Sequence, residues 1–170
     1  KKRILSLALS AAMALTMLPT GAFAASDKGK PPVYNKATGC YEISTPDQLL
    51  YLSGSWKDGA PRDGHYVLTA DIDMSGVKGF KPIASKKDSF IGTFDGQFHA
   101  IKGLRVEYEK KYAGLFGYVG NQDDQAYIKD VALLDCYVTG QQNVGALAGV
   151  NYGTITGCVV TGEVKCLDLS

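Results

Sequence analysis

The chain has 170 residues, of which 45% are hydrophobic and 21% are charged, and its formal net charge is +1 at pH 7. This length suits one domain with its own core. The near-neutral balance of 18 basic and 17 acidic residues, without a basic cluster in the body of the chain, argues against nucleic acid or an anionic membrane surface as the natural partner.

The first 24 residues have the pattern of a secretory signal peptide. Residues 1–3 are basic, residues 4–18 form an apolar run, and Ala22-Phe23-Ala24 is a small-x-small cleavage site. The apolar run is shorter than the roughly 20 residues that a membrane-spanning helix needs. We therefore predict an exported protein, secreted or at the cell surface, with no membrane span in the mature chain.

One short helix is predicted near the start of the mature chain. Thr45 is a good capping residue, Pro46 stands at the first helical position, and Gln48 follows three residues after the cap. Apolar residues at 49, 50 and 52 give this segment one apolar face. We expect this helix to cap whatever follows it.

The rest of the chain consists of short β-type runs separated by Gly, and some of its phrases recur. CYVTG at 136–140 returns as CVVTG at 158–162, which is 22 residues later. AGLFG at 113–117 parallels GALAG at 145–149 with an offset of 32, and IKGL at 101–104 parallels IKDV at 128–131 with an offset of 27. Such spacings predict an all-β solenoid whose stacked coils have turns of unequal length.

These patterns divide the chain into four parts. We predict a signal peptide at 1–24, a polar linker at 25–38, an N-terminal cap with the helix at 39–64, and β-coils at 65–170. The sequence stops at Ser170 without a C-terminal cap or anchor, so we expect the coil stack to be truncated there.

Four cysteines, Cys40, Cys136, Cys158 and Cys166, occur in a chain whose export permits disulfides. If the 22-residue repeat places Cys136 and Cys158 at equivalent positions of neighbouring coils, their Cα atoms lie roughly 4.8 Å apart, within bridging range. A ladder of two small buried thiols is an equally good interpretation. Zinc is disfavoured because no cysteine pair has the short spacing of zinc ligands, so we predict no metal site.

An acidic strip is a weak candidate site. Residues 71–76 read DIDMSG, like the start of a calcium-binding EF-hand loop, but the twelfth position is Pro82 rather than a bidentate Glu. Stacked coils could still align Asp71, Asp73 and Asp95 at the surface, as paired carboxylates for carbohydrate chemistry.

His99 follows an Asp-Gly turn signal, but no nucleophile is marked beside it. We interpret it as a partly buried histidine that is hydrogen-bonded to the turn. The chain also contains no recognised catalytic or cofactor-binding motif. We therefore predict no catalytic residue, no cofactor and no enzymatic activity.

From about Tyr41 to Val164 the chain resembles the GLUG-motif family of exported bacterial surface proteins. The segments that carry the resemblance are EISTPDQLLYLSG, YVLTADIDMSG, KPIASKKDSFIGTFDGQFHAIKGL, AGLFGYV, IKDVALLDCYVTG and NVGALAGVNYGTITGCVVTGEV. Where the family usually has T-F-D-G-N-G-H-T-I, residues 93–101 carry Phe98 in place of the second Gly. A tighter or repacked turn is expected there.

This resemblance implies a right-handed parallel β-helix with a short N-terminal capping helix, in proteins where such repeats act as stalks and adhesive modules. We therefore predict a non-catalytic structural or adhesive module whose partner is an extracellular glycan or a host or cell-surface protein. The open edge after the last coil predicts self-association. Two alternatives are a carbohydrate-binding or polysaccharide-degrading β-helix, and an N-terminal fragment of a larger surface protease.

Overall fold

The computed structural model describes residues 29–54 and 60–167. The predicted signal peptide at 1–24 lies outside the described residues, as does the start of the predicted linker. Of the helices in the described ranges, none has the length and apolar character needed to cross a bilayer.

The described residues form fifteen short strands and one short helix. In chain order they are β1 (Val33–Asn35), β2 (Cys40–Ile43), α1 (Pro46–Tyr51), β3 (His65–Leu68), β4 (Ile72–Asp73), β5 (Thr93–Asp95), β6 (Ala100–Lys102), β7 (Arg105–Glu107), β8 (Lys111–Ala113), β9 (Phe116–Val119), β10 (Tyr127–Lys129), β11 (Ala132–Gly140), β12 (Gln142–Val144), β13 (Ala148–Asn151), β14 (Thr154–Thr156) and β15 (Val159–Cys166).

The first sheet shows how the chain coils. Strands β2, β3, β5, β10 and β14 pair side by side in parallel, and β1 pairs antiparallel with β2 at the N-terminal edge. His65, Thr93, Tyr127 and Thr154 are neighbours across this sheet, so successive coils advance by 28, 34 and 27 residues. The predicted all-β solenoid is confirmed, with about four turns.

Two further sides close each coil. The second sheet contains β4, β6, β11 and β15 in parallel order, and β7 also pairs with β11. On the third side β8 pairs with β12 and β9 with β13, again in parallel. Isolated bridges from Ile83 to Phe116 and from Phe90 to Val119 join this side to the preceding coil.

The core is built from ladders of inward-facing side chains. The buried members of these ladders are Tyr66, Phe94 and Ile128 in the first sheet, Ile72, Ile101 and Leu133 in the second, and Val106 and Val138 further along it. Phe116 packs between Phe90 and Phe94, with ring centroids 5.1 and 5.4 Å apart. The alternation of the strands thus fills the interior with apolar side chains and leaves polar ones outside.

The predicted helix is confirmed as α1. The Thr45 hydroxyl accepts a hydrogen bond from the Gln48 backbone N–H at 3.3 Å, and Pro46 is the first helical residue. The Gln48 side chain accepts in turn from the Ser44 backbone N–H at 2.8 Å, which is close to a capping box. Leu49 and the C-cap residue Leu52 are buried in the common core, at the N-terminal end of the coil stack.

The predicted coil register is wrong for two of the three sequence repeats. Ala132 pairs with Val159 and, beyond a bulge, Cys136 pairs with Gly162. The two TG phrases are therefore not equivalent, because Gly140 ends β11 whereas Gly162 lies within β15 at φ 132 and packs on the backbone of Cys136. The 27-residue match also fails, since β6 pairs with β11 and not with β10.

The 32-residue match is confirmed, because Phe116 pairs with Ala148. The corrected register removes the geometric basis for a Cys136 to Cys158 disulfide. Cys158 precedes β15 at the level of Val131, whose carbonyl accepts a hydrogen bond from the Val159 N–H at 2.9 Å. Both thiols are free. Burial raises the pKa of the Cys136 thiol, so it remains protonated as a small core side chain.

At the C-terminal end of the described stack, the side chains of β15 that continue the inward-facing ladders are exposed. Val160 continues the ladder of Leu133, and Val164 continues the ladder of Val138. Leu133 and Val138 are fully buried, whereas Val160 and Val164 are 41% and 43% exposed. The N-terminal end differs, because α1 and the antiparallel β1 cover it.

Candidate functional site

The predicted acidic strip divides into separate hydrogen-bonded groups. Asp71 lies directly before β4, and one of its carboxylate oxygens accepts from the Ala100 backbone N–H at 3.0 Å. The same oxygen lies 3.2 Å from Nδ1 of His99. Asp71 and His99 are 28 residues apart, which is one coil, so the contact links two neighbouring coils at one corner of the solenoid.

The other two carboxylates have partners of their own. Asp73 accepts from the backbone N–H of Ser75 at 2.9 Å and from its hydroxyl at 2.6 Å, in a local turn. Asp95 belongs to the first sheet, where its carboxylate lies 2.8 Å from Nζ of Lys129. The structure therefore does not unite Asp71, Asp73 and Asp95 in one site. Within residues 29–54 and 60–167, no group of three His, Cys, Asp or Glu side chains is arranged to hold a metal ion.

The Asp71 carboxylate is held in its charged form. The hydrogen bond from the Ala100 backbone N–H is the main cause that lowers its pKa, and the His99 side chain contributes further. A group whose pKa is lower in the folded state stabilises the fold above its unfolded pKa of about 3.9, and this contribution is lost as the pH falls through the folded pKa.

We expect Asp71→Asn to lower the free energy of unfolding at pH 7 by at most about 1 kcal/mol, because the carboxylate is half exposed. The difference from the unmodified protein should shrink as the pH is lowered from 7 to about 2.5, because protonation of the carboxyl removes the contribution of its charged form. Urea unfolding at the two pH values measures this. Asp123→Asn, at an exposed loop position, is the control; a loss for Asp71→Asn that is equal at both pH values would contradict the assignment.

His99 is partly buried, as predicted from the sequence, but its ring contacts Asp71 instead of the turn. Its backbone N–H closes the turn, with a bond of 2.8 Å to the Gly96 carbonyl. Sequence inspection could not place the ring, since its partner belongs to the preceding coil.

The turn that precedes His99 has an uncommon composition. Gln97 and Phe98 occupy its central positions with φ values of 47° and 62°, the pattern of a type I′ turn, which favours Asn-Gly. The backbone at Phe98 is left-handed and its ring is 81% exposed, so the ring does not pack into the core, while the expected tightening of the turn stays a prediction. Sequence analysis missed this residue as a functional candidate, although a bulky side chain at a glycine position was the signal.

A second surface is a groove of about 660 Å³ beside the second sheet. Its lining includes Lys81, Glu107, Tyr108, Glu109, Lys110 and Tyr137. The guanidinium of Arg105 lies 4.3 Å from the Tyr137 ring centre, and the ammonium of Lys165 lies 5.5 Å from it. Because the chain's own cations approach this ring, Tyr137 is a poor platform for a ligand.

Comparison with known proteins identifies two relatives in sequence and a solved structure of similar fold. No family model matches the chain, so the GLUG-motif assignment remains a prediction. The chain is 34% identical over 135 residues to halomucin from Haloquadratum walsbyi, an alignment that covers 73% of the chain and 1% of halomucin. It is 32% identical over 100 residues to a protein named as a Gly-rich membrane protein from Evansella cellulosilytica, covering 54% of the chain and 11% of that protein.

One solved structure shares the fold. It is a protein assigned as an immunoglobulin A1 protease from Bacteroides ovatus, with a TM-score of 0.53 and 20% identity, and the match covers 72% of this chain and 38% of that one. The chain is therefore a β-solenoid module related to short segments of much longer proteins. It corresponds to about a tenth or less of the length of its two curated relatives.

Proposed function

We propose that the chain is a non-catalytic structural and adhesive module of an exported bacterial protein, secreted or displayed at the cell surface. The observation that carries this proposal is the parallel pairing of strands from one coil to the next. It sets outward side chains in rows one strand spacing apart, as for Arg105, Tyr137 and Glu163 across β7, β11 and β15. Such a stack is a rigid scaffold that presents repeated polar side chains to a partner.

The comparisons support this proposal in two ways. The relatives are far longer than the aligned segments, which suits a module that is one part of a large protein. One relative is named as a membrane protein, and residues 1–24 have the signal-peptide pattern, which favours export to the cell surface. The protease alternative has weaker support, because a match at 20% identity shows the fold alone.

The proposal is tested with the purified protein on an array of extracellular glycans and host surface proteins, with a parallel assay for newly released reducing or unsaturated sugar ends. We expect reproducible binding without product. Product release would overturn the non-catalytic assignment and favour a polysaccharide-degrading β-helix. Absence of binding across the array would remove the adhesive role. The urea-unfolded protein is the control for non-specific adhesion.

We also propose that the exposed end of the stack self-associates. Val160 and Val164 present apolar surface beside an edge of β15 that no strand of the described ranges pairs with, whereas the opposite end is covered by α1 and β1. Two copies would therefore meet through the same end, in a two-fold arrangement.

Light scattering at increasing concentration is expected to show dimers. Val164→Lys should shift the protein toward the monomer, because it places a charge in the contact. Val159→Lys, at an outward position of the same strand that is 57% exposed, is the matched control and should dimerise normally. A protein that is monomeric at millimolar concentration would refute the proposed contact.

A further inference from the structure

Phe98 is the most exposed large hydrophobic side chain among the described residues, at 81%. Its backbone conformation is also unfavourable, because φ is +62° and a left-handed backbone brings Cβ close to the following carbonyl oxygen. Glycine adopts this conformation without that conflict. A bulky apolar side chain thus stands at a position where exposure to water and the left-handed backbone both favour a smaller residue.

The turn cannot relax, because the next coil holds it on both sides of Gln97. The Gly96 N–H donates to the Lys129 carbonyl at 2.8 Å, and the Phe98 N–H donates to the Asp130 carbonyl at 2.9 Å. A side chain at position 96 would meet the Asp130 carbonyl oxygen, so the chain passes close to the next coil here. The left-handed conformation of Phe98 is imposed by coil stacking.

Tyr112 provides an informative contrast. It is also a large aromatic residue at positive φ, 69°, but its ring packs edge-on against Tyr118 with centroids 5.4 Å apart. The contact offsets the unfavourable backbone of Tyr112. Among the residues that the structure describes, Phe98 has no comparable ring contact. A stabilising role within the fold therefore does not explain its side chain.

The surroundings of Phe98 indicate what it contacts. Gln97 is exposed, and His99, which closes the same turn, pairs with Asp71 of the preceding coil; the Asp71 and His99 side chains are 54% and 36% exposed. Phe98 therefore stands in the same turn as one exposed amide side chain and is next in sequence to the histidine of a carboxylate–imidazole pair. A protein interface of ordinary size buries roughly 800 Å² on each partner around several apolar anchors. Among Asp71 and the described residues 95–99, Phe98 is the one large hydrophobic side chain.

A pyranose ring fits this arrangement better. It is about as large as a phenyl ring, the C–H bonds of one face carry partial positive charge that meets the negative face of an aromatic ring, and its hydroxyls need hydrogen-bonding partners at the rim. We propose that Phe98 is the stacking platform of a carbohydrate-binding site at the corner between the first and second sheets, with Gln97, Asp71 and His99 contacting the sugar hydroxyls. Because Asp71 is charged, the site takes neutral sugars in preference to uronic or sulfated ones.

This inference rests on the proposed adhesive function and gives it a site and a ligand class. The test is isothermal titration of the full chain with cellohexaose, xylohexaose and chitohexaose, and with heparin as an anionic comparison. We expect binding to at least one neutral oligosaccharide and weaker binding to heparin. Phe98→Gly should weaken the neutral binding at least tenfold while its urea midpoint stays equal or rises. Phe98→Tyr should retain binding, and so should Tyr127→Ala, at another exposed aromatic position.

Three results would overturn the site. The first is that none of the neutral oligosaccharides binds. The second is that Phe98→Gly binds them as tightly as the unmodified chain, which leaves the adhesive function intact and places its site elsewhere. The third is that Phe98→Gly loses binding to a surface protein on the array and not to sugars, which assigns the residue to a protein partner. Release of product from a bound sugar contradicts only the non-catalytic function.

Discussion

Phe94→Ala is expected to lower the free energy of unfolding by about 3–5 kcal/mol. The Phe94 ring is fully buried, packs edge-on against Phe116, and lies in the ladder between Tyr66 and Ile128. Its removal leaves a cavity between three coils whose backbones are joined by strand pairing, so the surrounding structure can collapse only in part. Urea unfolding followed by circular dichroism measures the change.

Phe98→Ala is the matched control for this experiment, because it removes a ring of the same kind from the turn that follows β5. The Phe98 side chain is 81% exposed, so its loss should change the free energy of unfolding by no more than about 0.5 kcal/mol. Losses of similar size for the two variants would mean that the inward and outward assignments of the first sheet and its following turn are wrong.

Gly96→Ala is the second substitution with a large expected effect. A Cβ atom at this position would collide with the Asp130 carbonyl oxygen and stand 2.7 Å from the Val131 Cα. Both atoms belong to the backbone of the next coil, so no side-chain movement can relieve the contact, and the two coils must separate locally. We expect a loss of roughly 2–3 kcal/mol, in the upper part of the range of about 1–3 kcal/mol for overpacked sites.

Gly76→Ala provides the comparison, because a Cβ atom added at Gly76 would have no other atom within 4 Å. This variant should be as stable as the unmodified protein or slightly more stable, since Ala restricts the unfolded chain. If Gly96→Ala unfolds at the same urea concentration as Gly76→Ala, the close approach of the two coils at this corner does not exist in solution.

Local signals predicted the local structure well. Thr45, Pro46 and Gln48 act within one helical turn, and for that reason α1 could be identified from its own sequence. The solenoid was predicted from repeated phrases, and this prediction is confirmed although two of the three repeats do not pair at their sequence offsets.

The pairing register of the strands could not be derived from the repeated sequence phrases alone. The phrases CYVTG and CVVTG look equivalent, yet Cys136 pairs with Gly162 because a bulge and unequal turns displace the coils. The GALAG match succeeded because both copies belong to the third side, where β9 and β13 pair at the same offset as the sequence repeat. A shared side is necessary but not sufficient, because both TG phrases lie in the second sheet and are out of register across the bulge after Leu133.

The candidate site depends even more on register. Asp71 and His99 meet because one coil there is 28 residues long, a length that no single motif specifies. The exposure of Phe98 follows from contacts of its turn with Lys129 and Asp130 on the next coil. The chemistry of these residues was visible in the sequence, but their relative positions follow from the packing of coils on one another.

The uncovered ladder of Val160 and Val164 also affects how the molecule opens. Each coil contacts only its neighbours. Opening of the last described coil therefore breaks one interface, whereas opening of a central coil breaks two. Local opening should therefore require the least free energy at β14 and β15 and more toward the aromatic centre around Phe94. Within the described coils the stack is thus a graded series of cooperative units, with its most stable part around Phe94.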